Sequence, residues 1–412
     1  MRKGMFAALD AYRRATQWWA ERWGPSPDDE AEAEVVSGRA WEEFCDALKA
    51  AGASLSFPGT PRTVLDRAEG IRYLSRLTRA GLEAFVEHAD PAAPVLHRVV
   101  HETVKMGSDN PDNYYLTARL DGRLEYRITG RRNTVHYLGF GTQHGHYGKN
   151  GGLPPTGYLE GSQLRMDAEG RFEITLSARE PPQQEDGKEG GNWLPMTEQT
   201  GTLIVRQTFL DREREVPAQL EIMCTSEEAV ARHLTPRDLV EGLRNTSSLV
   251  AGASLLFAKW ARDFQEHSNL LPRFDQETSN RAGGDPNIAY YHSHWALPPE
   301  HALVIETEPP PCEHWNFQLN NYWMESLDYR HHRIHVNKHT AVRQPDGSVR
   351  IVVAHRDPGL PNWIETVGHE SGTMCFRWVR AEHHPTPRTR VVTMAELQAL
   401  RETTSAPTSE VR

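Results

Sequence analysis

The stretch EHWNFQLNN at residues 313–321 alternates polar and apolar side chains, a pattern typical of a β-strand with two different faces. A related stretch, VHYLGFGTQ at residues 135–143, lies in the first half of the chain and is largely apolar. The two stretches indicate an internal repeat whose second copy has become more polar. Because a repeat constrains the whole fold, we expect two related β domains in one chain.

Other residues recur in the same order and with a nearly constant offset. The matched features are Tyr114-Tyr115 with Tyr290-Tyr291, His136-Tyr137 with His314-Trp315, the turns at 167–170 and 345–347, Asn192-Trp193 with Asn362-Trp363, and Gly201, Thr202 and Arg206 with Gly372, Thr373 and Arg377. Arg206 and Arg377 therefore occupy matching strands. An arginine kept in both copies predicts a structural ion pair in each domain, or an anion contact in one of them.

The periodicity of apolar residues divides the chain into five parts. We expect a helical N-terminal region at 1–105, a first β-sandwich at 106–225, a helical connector and linker at 226–287, a second β-sandwich at 288–395, and a short helix with a disordered tail at 396–412. The predicted fold class is α+β and mainly β, with two antiparallel, jelly-roll-like sandwiches. Asp121-Gly122 between two strand patterns predicts a hairpin.

Composition excludes several classes of protein. The chain has 412 residues, with 56 acidic against 46 basic side chains and a formal charge of −10, which disfavours a nucleic-acid-binding protein. Its 4 cysteines are scattered and contain no CxxC pair, so we do not expect a zinc site made of thiolates. Scattered cysteines also indicate a reducing compartment. No apolar run is long enough to cross a membrane. We therefore expect a cytoplasmic protein.

Two polar rows in the second copy predict a site. Side chains alternate along a strand, so one face of 313–321 carries His314, Asn316, Gln318 and Asn320. Such groups are costly to bury without partners, which favours a wet pocket over a dry core. If 331–339 is also a strand, one of its faces carries His331, Arg333, His335, Asn337 and His339.

These rows suggest an enzyme with a pocket in the second sandwich. We expect non-redox acid–base chemistry of the hydrolase or lyase type on a hydroxylated or carbohydrate-like small molecule. The predicted catalytic residues are His314 or His335 as acid–base, Arg333 as an anion clamp and Asp357 as a carboxylate. The predicted substrate-binding residues are Asn316, Gln318, Asn320, Asn337, His355 and Arg377.

Two alternative functions remain open at this point. His292 and His294 lie on one face of a strand and, with a third ligand, could hold a divalent metal in a cupin-like enzyme. The other alternative is a protein without catalysis that binds a ligand or assembles as a homo-oligomer. Its interface would use aromatic residues such as Trp315, Phe317, Tyr322 and Trp323.

The second β region resembles a known bacterial family. The residues that carry the resemblance are the run from Asn316 to Met324, Ser326-Leu327-Asp328-Tyr329, His335, Asn337-Lys338-His339, the turn at 345–348 and Asn362-Trp363. They are similar to the family catalogued as domain of unknown function 1214, often paired with an upstream domain of family 1254 in tandem jelly rolls. The resemblance implies the fold. It implies no activity and no catalytic residues.

Overall fold

The computed structural model describes residues 25–148, 152–181 and 191–405, so the first 24 residues of the predicted helical region and residues 406–412 of the predicted tail lie outside the described residues. Helices α1, α2 and α3 span Pro27–Ser37, Arg39–Ala51 and Val64–Leu82. Helices α4 and α5, between the two β regions, span Pro236–Phe264 and Gln276–Arg281, and α6 spans Met394–Ser405. The hydroxyls of Thr63 and Thr235 cap α3 and α4 by accepting a hydrogen bond from a backbone amide of the first turn.

The strands form two groups along the chain. The first group is β1 Asn113–Arg119, β2 Tyr126–Arg131, β3 Tyr137–His144, β4 Pro155–Glu160, β5 Arg171–Ser177, β6 Asn192–Pro195, β7 Thr200–Thr208 and β8 Gln219–Cys224. The second group is β9 Ile288–Ala296, β10 His301–Thr307, β11 His314–Asn320, β12 His335–Asn337, β13 Val349–Ala354, β14 Trp363–Glu365, β15 Ser371–Val379 and β16 Arg388–Thr393.

The two groups have the same topology. In the first, the sheet orders are β1-β7-β3-β4 and β6-β5-β2-β8; in the second, they are β9-β15-β11-β12 and β14-β13-β10-β16. The pairing is antiparallel except at β5 with β6 and at β13 with β14, which are parallel in both copies. Each sandwich encloses its own apolar core. The mainly β fold with two related sandwiches, predicted from the repeat, is confirmed.

The hydrogen-bond registers correct part of the predicted repeat alignment. Arg206 pairs with Tyr115, and Arg377 pairs with Tyr290, so these two tyrosines correspond. By the same ladders Tyr137 corresponds to His314. Both predicted matches were therefore shifted by one residue. Aromatic doublets such as Tyr114-Tyr115 look alike after such a shift, although the shift moves every side chain to the other face of the sheet.

The match of Asn192 with Asn362 holds in the hydrogen bonds. The Nδ2 atom of Asn192 donates to the carbonyl of Glu173 on β5 at 2.8 Å. The Nδ2 atom of Asn362 donates to the carbonyl of Arg350 on β13 at 2.9 Å. Each asparagine thus ties its short strand to the same neighbour in its own copy.

The hairpin predicted at Asp121-Gly122 is wrong. The strands on either side, β1 and β2, belong to different sheets of the first sandwich. Gly122 donates its backbone N–H to Thr200 at 2.9 Å, and Asp121 accepts from the amide of Arg123 at 3.0 Å. The turn residues therefore make a corner between sheets, because turn chemistry sets a reversal without choosing the partner strand.

A short segment before each sandwich lies on the other sandwich. We call residues 107–112, before β1, the first arm, and residues 282–287, before β9, the second arm. Within them, the amides of Asn110 and Asp285 both donate to a tyrosine hydroxyl at 3.1 Å, on Tyr115 and Tyr290. The two arms are thus equivalent. The first arm bonds to β11 and the second arm bonds to β3 and β4, so the exchange between the copies is reciprocal.

Helices α3 and α4 also contact the sandwiches, and α4 contacts β9 of the second sandwich as well as a loop of the first. Helix α3 packs on the second sandwich, where the indole Nε1 of Trp323 donates to the carbonyl of Asp66 at 2.9 Å. A Cβ atom at Gly70 would lie 2.6 Å from the same indole ring, so the close approach depends on this glycine. Helix α4 packs on the loop after β3, with Gly252 against Gly148. No helix among the described residues combines the length and the apolar character needed to span a lipid bilayer.

Candidate functional site

A cavity of about 210 Å³ lies where the two sandwiches, the two arms and helix α4 meet. Its walls are mostly apolar and include Ile204 of β7 with Phe257 and Trp260 of α4. A small number of polar side chains reach into it, among them Arg206 and Arg377. A concave and mainly apolar space with a few convergent polar groups is the usual form of a small-molecule site.

Arg206, on the cavity wall, has an acidic partner. The side chain is 7% exposed, and its Nη1 atom lies 4.0 Å from Oδ2 of the fully buried Asp285. Its Nη2 atom donates to the carbonyl of Gly283 in the second arm. Burial would lower the pKa of Arg206, but the charge of Asp285 and three neighbouring tyrosines together outweigh it and raise the pKa above its ordinary value. Arg206 therefore has a carboxylate as a direct counter-charge.

Arg377, the counterpart of Arg206, has only neutral partners. It is 3% exposed, and its Nη1 atom donates to Oε1 of Gln318 at 2.6 Å and to Oδ1 of Asn316 at 3.3 Å. Its Nη2 atom donates to the carbonyl of Ser108 in the first arm. Arg377 forms no ion pair with a carboxylate among the residues that the structure describes. Burial would lower the pKa of Arg377, but Cys375, two tyrosines and the more distant charge of Asp109 together raise it. No carboxylate of the described residues is in contact with this guanidinium, although one contacts Arg206.

His292 stands beside Arg377 as a neutral ring. The rings of Tyr290 and Phe264 stack on it at centroid distances of 5.5 and 5.8 Å. Burial, with a smaller effect of the Arg377 charge, lowers the pKa of His292 to about 3. Its Nδ1 atom is buried and has no hydrogen-bond partner among the described residues. It is thus free to bond to a molecule in the cavity.

The metal site predicted at His292 and His294 has no support in the geometry. His294 bonds through Nδ1 to the hydroxyl of Ser268 at 2.8 Å, and burial lowers its pKa to about 4. Within the described part of the chain, the group of side chains close enough to share an ion is Asp66, Glu69 and His369, and it includes neither histidine. His292 is enclosed by aromatic rings instead of by ligands.

His369 and Glu69 form an ion pair between α3 and the second sandwich. The Nε2 atom of His369 lies 2.8 Å from Oε2 of Glu69. Burial would lower the pKa of His369, but the hydrogen bond and the charge of Glu69 outweigh it and raise this pKa. Burial likewise opposes ionisation of Glu69, and the bond to His369 nevertheless lowers its pKa. The charged pair satisfies itself without a metal.

The polar row of β11 is covered by the first arm and does not line an open pocket, contrary to our prediction. His314, Asn316, Gln318 and Asn320 are each 0% exposed. The Nε2 atom of Gln318 donates to the carbonyl of Asp109 at 2.8 Å, and Nδ2 of Asn320 donates to Ser108 Oγ at 3.1 Å. The partners that such a buried row requires come from the arm, which lies some two hundred residues earlier in the chain.

Asp112, in the first arm, is the centre of this buried network and was missed in the sequence. Its carboxylate lies 3.1 Å from Nε2 of His314 and 3.2 Å from Nε2 of His335, and it accepts from Nδ2 of Asn337 at 2.9 Å. Burial would raise its pKa, but His335 and the bond from His314 outweigh it and hold the pKa far below its ordinary range. The signal in the sequence that could have pointed to Asp112 is that its counterpart in the second arm, Asn287, is an amide instead of an acid.

Three predicted site residues lie away from the cavity. Arg333 is exposed because β12 begins only at His335, so residues 331–334 form a turn instead of the predicted strand. Asp357 is exposed and accepts from the amide of Gly359 at 2.8 Å, which makes it a turn residue. His355 bonds to the hydroxyl of Thr366 and to the carbonyl of Leu297. Of the predicted residues, Arg377 and His292 are those on the cavity wall.

Comparison with known proteins agrees with this architecture. A family model described as "Protein of unknown function (DUF1214)" matches residues 154–208 and 297–383. The crystal structure of an uncharacterized protein from Burkholderia cenocepacia is 49% identical in sequence and covers 88% of this chain and 99% of its own, with a TM-score of 0.85. The VPA0106 protein of Vibrio parahaemolyticus is 13% identical and covers 79% of this chain and 98% of its own, with a TM-score of 0.47. No curated protein matches the sequence.

Proposed function

Since the chain belongs to the DUF1214 family, whose function is unknown, we propose from its own geometry that it binds a small organic molecule in the cavity between its two sandwiches. The observation that carries the proposal is the combination of an apolar space of about 210 Å³ with the buried guanidinium of Arg377, which contacts no carboxylate of the described residues. Burying an arginine without a counter-charge is costly in a protein that has no use for it.

The wall of the cavity has an apolar part and a polar part, which supports a ligand with one apolar and one polar part. Ile204, Phe257 and Trp260 offer apolar contact for the body of the molecule. Tyr290 and His292 offer hydrogen bonds at one end. Burial raises the pKa of Tyr290 to about 12, so its hydroxyl stays protonated and remains a donor. An amphiphilic small molecule fits this division.

A second cavity of about 280 Å³ adjoins the first and supports an access route. Both cavities are lined by Phe85 and Arg119, so these side chains lie on the boundary between them. The lining of the second cavity is more polar and includes Asp90, Arg232 and Glu241. A ligand that passes this boundary moves from a polar space into an apolar one.

Dye binding tests the proposal. N-phenyl-1-naphthylamine is a neutral apolar dye whose fluorescence rises on leaving water, and we expect saturable binding of one dye per chain. The variant Ile204→Trp should abolish it, because the larger ring fills the cavity. Met223→Trp is the control, since Met223 is 54% exposed on β8 and adds the same ring without filling the space. Dye binding that survives in Ile204→Trp, or none in the wild type, contradicts the proposal.

The acid–base enzyme expected from the sequence is a second candidate, with His292 in place of His314 and His335. The free Nδ1 atom of His292 beside Arg377 favours it. A pKa of about 3 makes His292 a weak base, so binding is supported better than turnover. Hydrolysis of p-nitrophenyl acetate measures this chemistry. We expect any wild-type rate above background to disappear in His292→Gln; an unchanged rate excludes His292 as its base.

A further inference from the structure

We propose that the ligand is an organic acid whose anionic group binds at Arg377, an inference that rests on the function proposed above. The two arginines at the cavity come from matching positions of the repeat, and only their partners differ. The site would accordingly take a molecule with a carboxylate at one end and an apolar body at the other.

The charge difference comes from one position in the arms. The amides of Asn110 and Asp285 make the same bond to a tyrosine hydroxyl, so these residues correspond. Asp285 supplies the carboxylate that compensates Arg206. Asn110 stands in its place near Arg377 and accepts from Nδ2 of Asn316 at 2.6 Å. Because an amide stands where the other arm has an acid, Arg377 has no carboxylate in contact with it.

The groups around Arg377 do not replace the missing acid. Tyr290 and Cys375 are neutral because burial raises their pKa values to about 12 and 11. His292 is neutral because burial lowers its pKa. Asp109 is the acidic side chain on the cavity wall, and its carboxylate accepts from the amide and the hydroxyl of Ser326 at 2.9 and 2.8 Å. An incoming anion therefore meets one guanidinium and no competing ion pair with it.

The geometry suits a carboxylate. A guanidinium presents several N–H groups in a plane and binds carboxylates more strongly than neutral acceptors. The ring of Tyr290 faces this guanidinium at 5.8 Å from its centroid, which restricts the approach to the cavity side. Beyond it, Phe257 and Trp260 lie where the apolar part of the same molecule would pack.

Matched acids and amides test the inference on the wild-type protein. The probes are phenylacetate, 3-phenylpropionate and 4-phenylbutyrate, each against its primary amide, titrated by calorimetry at neutral pH and low salt. We expect the acid of the best-fitting length to bind at least about tenfold more tightly than its amide, since the bond to a charged acceptor is the stronger one. Equal affinity for acid and amide overturns this inference and leaves small-molecule binding intact. Absence of binding for every probe in a protein that still binds the dye also overturns this inference alone, whereas absence of dye binding as well contradicts both.

Three variants place the anion. In Arg377→Gln the acid should lose its advantage and bind like the amide. The double variant Arg206→Gln/Asp285→Asn removes the compensated pair on the opposite side and should keep the advantage. Arg377→Lys keeps the positive charge but not the planar donors, so it should retain part of the preference for the acid. This variant also tests the proposal if Arg377→Gln does not fold. Loss of the preference in the double variant alone would assign the anion to Arg206 and overturn the proposal.

Discussion

The first and second sandwiches have the same strand order, the same parallel pairs and an arginine at the same position, yet the groups that contact this arginine differ. Arg206 is held against the buried carboxylate of Asp285, whereas Arg377 is held by the amides of Asn316 and Gln318. A repeat can therefore keep its scaffold and its arginine while the groups that contact the arginine change from a carboxylate to amides.

The buried carboxylates of the arms differ in the same way. In the second arm the acid is Asp285, which accepts from the hydroxyls of Tyr137 and Tyr158 at 3.2 and 3.0 Å. The first arm has two buried acids: Asp109, which accepts from Ser326, and Asp112, two positions beyond the counterpart of Asp285, whose neighbours are His314 and His335. The second arm thus places a carboxylate beside the arginine of the other sandwich, and the first arm places its own at other contacts.

The largest effect is expected at Asp112. Asp112→Ala leaves two histidines and two amides of the second sandwich without their common acceptor and should cost about 3–5 kcal/mol in the free energy of unfolding. Its counterpart Asn287 carries no charge and hydrogen-bonds through its side chain to Tyr158, so Asn287→Ala should cost much less. Urea unfolding followed by circular dichroism measures both. Equal losses would show that the two positions contribute equally to the free energy of unfolding and would contradict the expected difference between the arms.

The asparagines of the short strands should instead behave identically. Asn192→Ala and Asn362→Ala each remove equivalent hydrogen bonds and leave a buried carbonyl unpaired, for a loss of about 1–3 kcal/mol in each case. Urea unfolding of the two variants side by side checks it. A loss in one copy only would mean that the copies have diverged in their scaffolds as well as in their charges.

The contacts of the helices with the sandwiches should respond differently to pH. The His369–Glu69 pair has a histidine with a raised pKa, so its contribution is complete below the unfolded value of about 6.5 and is lost as the pH rises through the folded value. At acid pH the contribution of the pair is lost again. The pKa of Glu69 is lowered in the folded protein, so the loss begins below 4.5, the ordinary pKa of a glutamate, and proceeds as the pH falls through the folded value.

Replacing the ion pair should flatten this dependence. In His369→Gln we expect the wild-type decline in melting temperature above neutral pH to be reduced, an effect on the order of 1 kcal/mol. Scanning calorimetry from acid to alkaline pH measures the two curves. Gly252 and Gly148, at the contact of α4, carry no charge, so Gly252→Ala should change stability by the same amount at every pH. Parallel wild-type and His369→Gln curves would contradict this role.

The smallest effects are expected at two residues that the sequence suggested for catalysis. Arg333→Ala and Asp357→Ala should change the unfolding free energy by about 0.5 kcal/mol or less, because both side chains are exposed. Neither should alter binding of phenylalkanoates by titration calorimetry. A marked loss of binding in either variant would move the site away from the cavity.

Much of the architecture could be predicted because strand patterns and turn residues are local. The repeat, the two sandwiches and the match of Asn192 with Asn362 all follow from residue order. The match of Arg206 with Arg377 also raised the two alternatives of an ion pair or an anion contact. The predicted register was less accurate, because shifting Tyr114-Tyr115 by one residue changes the face of each side chain without changing the look of the sequence.

The position of the site could not be predicted from the same patterns. Period-two alternation showed that His314, Asn316, Gln318 and Asn320 share a face, but it carries no information about what covers that face. The cover is the first arm, brought there by the reciprocal exchange. Arg333 and Asp357 were chosen for their residue types, and their exposure depends on where β12 ends and where a turn begins.

The number of sandwiches, their strands and the pair of arginines that mark the repeat can be read from the sequence, since these depend on local patterns and on order along the chain. Which polar groups are enclosed and which remain accessible depends on the tertiary fold. That outcome depends on contacts between Ser108 and Arg377, or between Gly283 and Arg206, that link distant parts of the chain. Burial and compensation of charge are properties of such contacts, and no alternation within a strand encodes them.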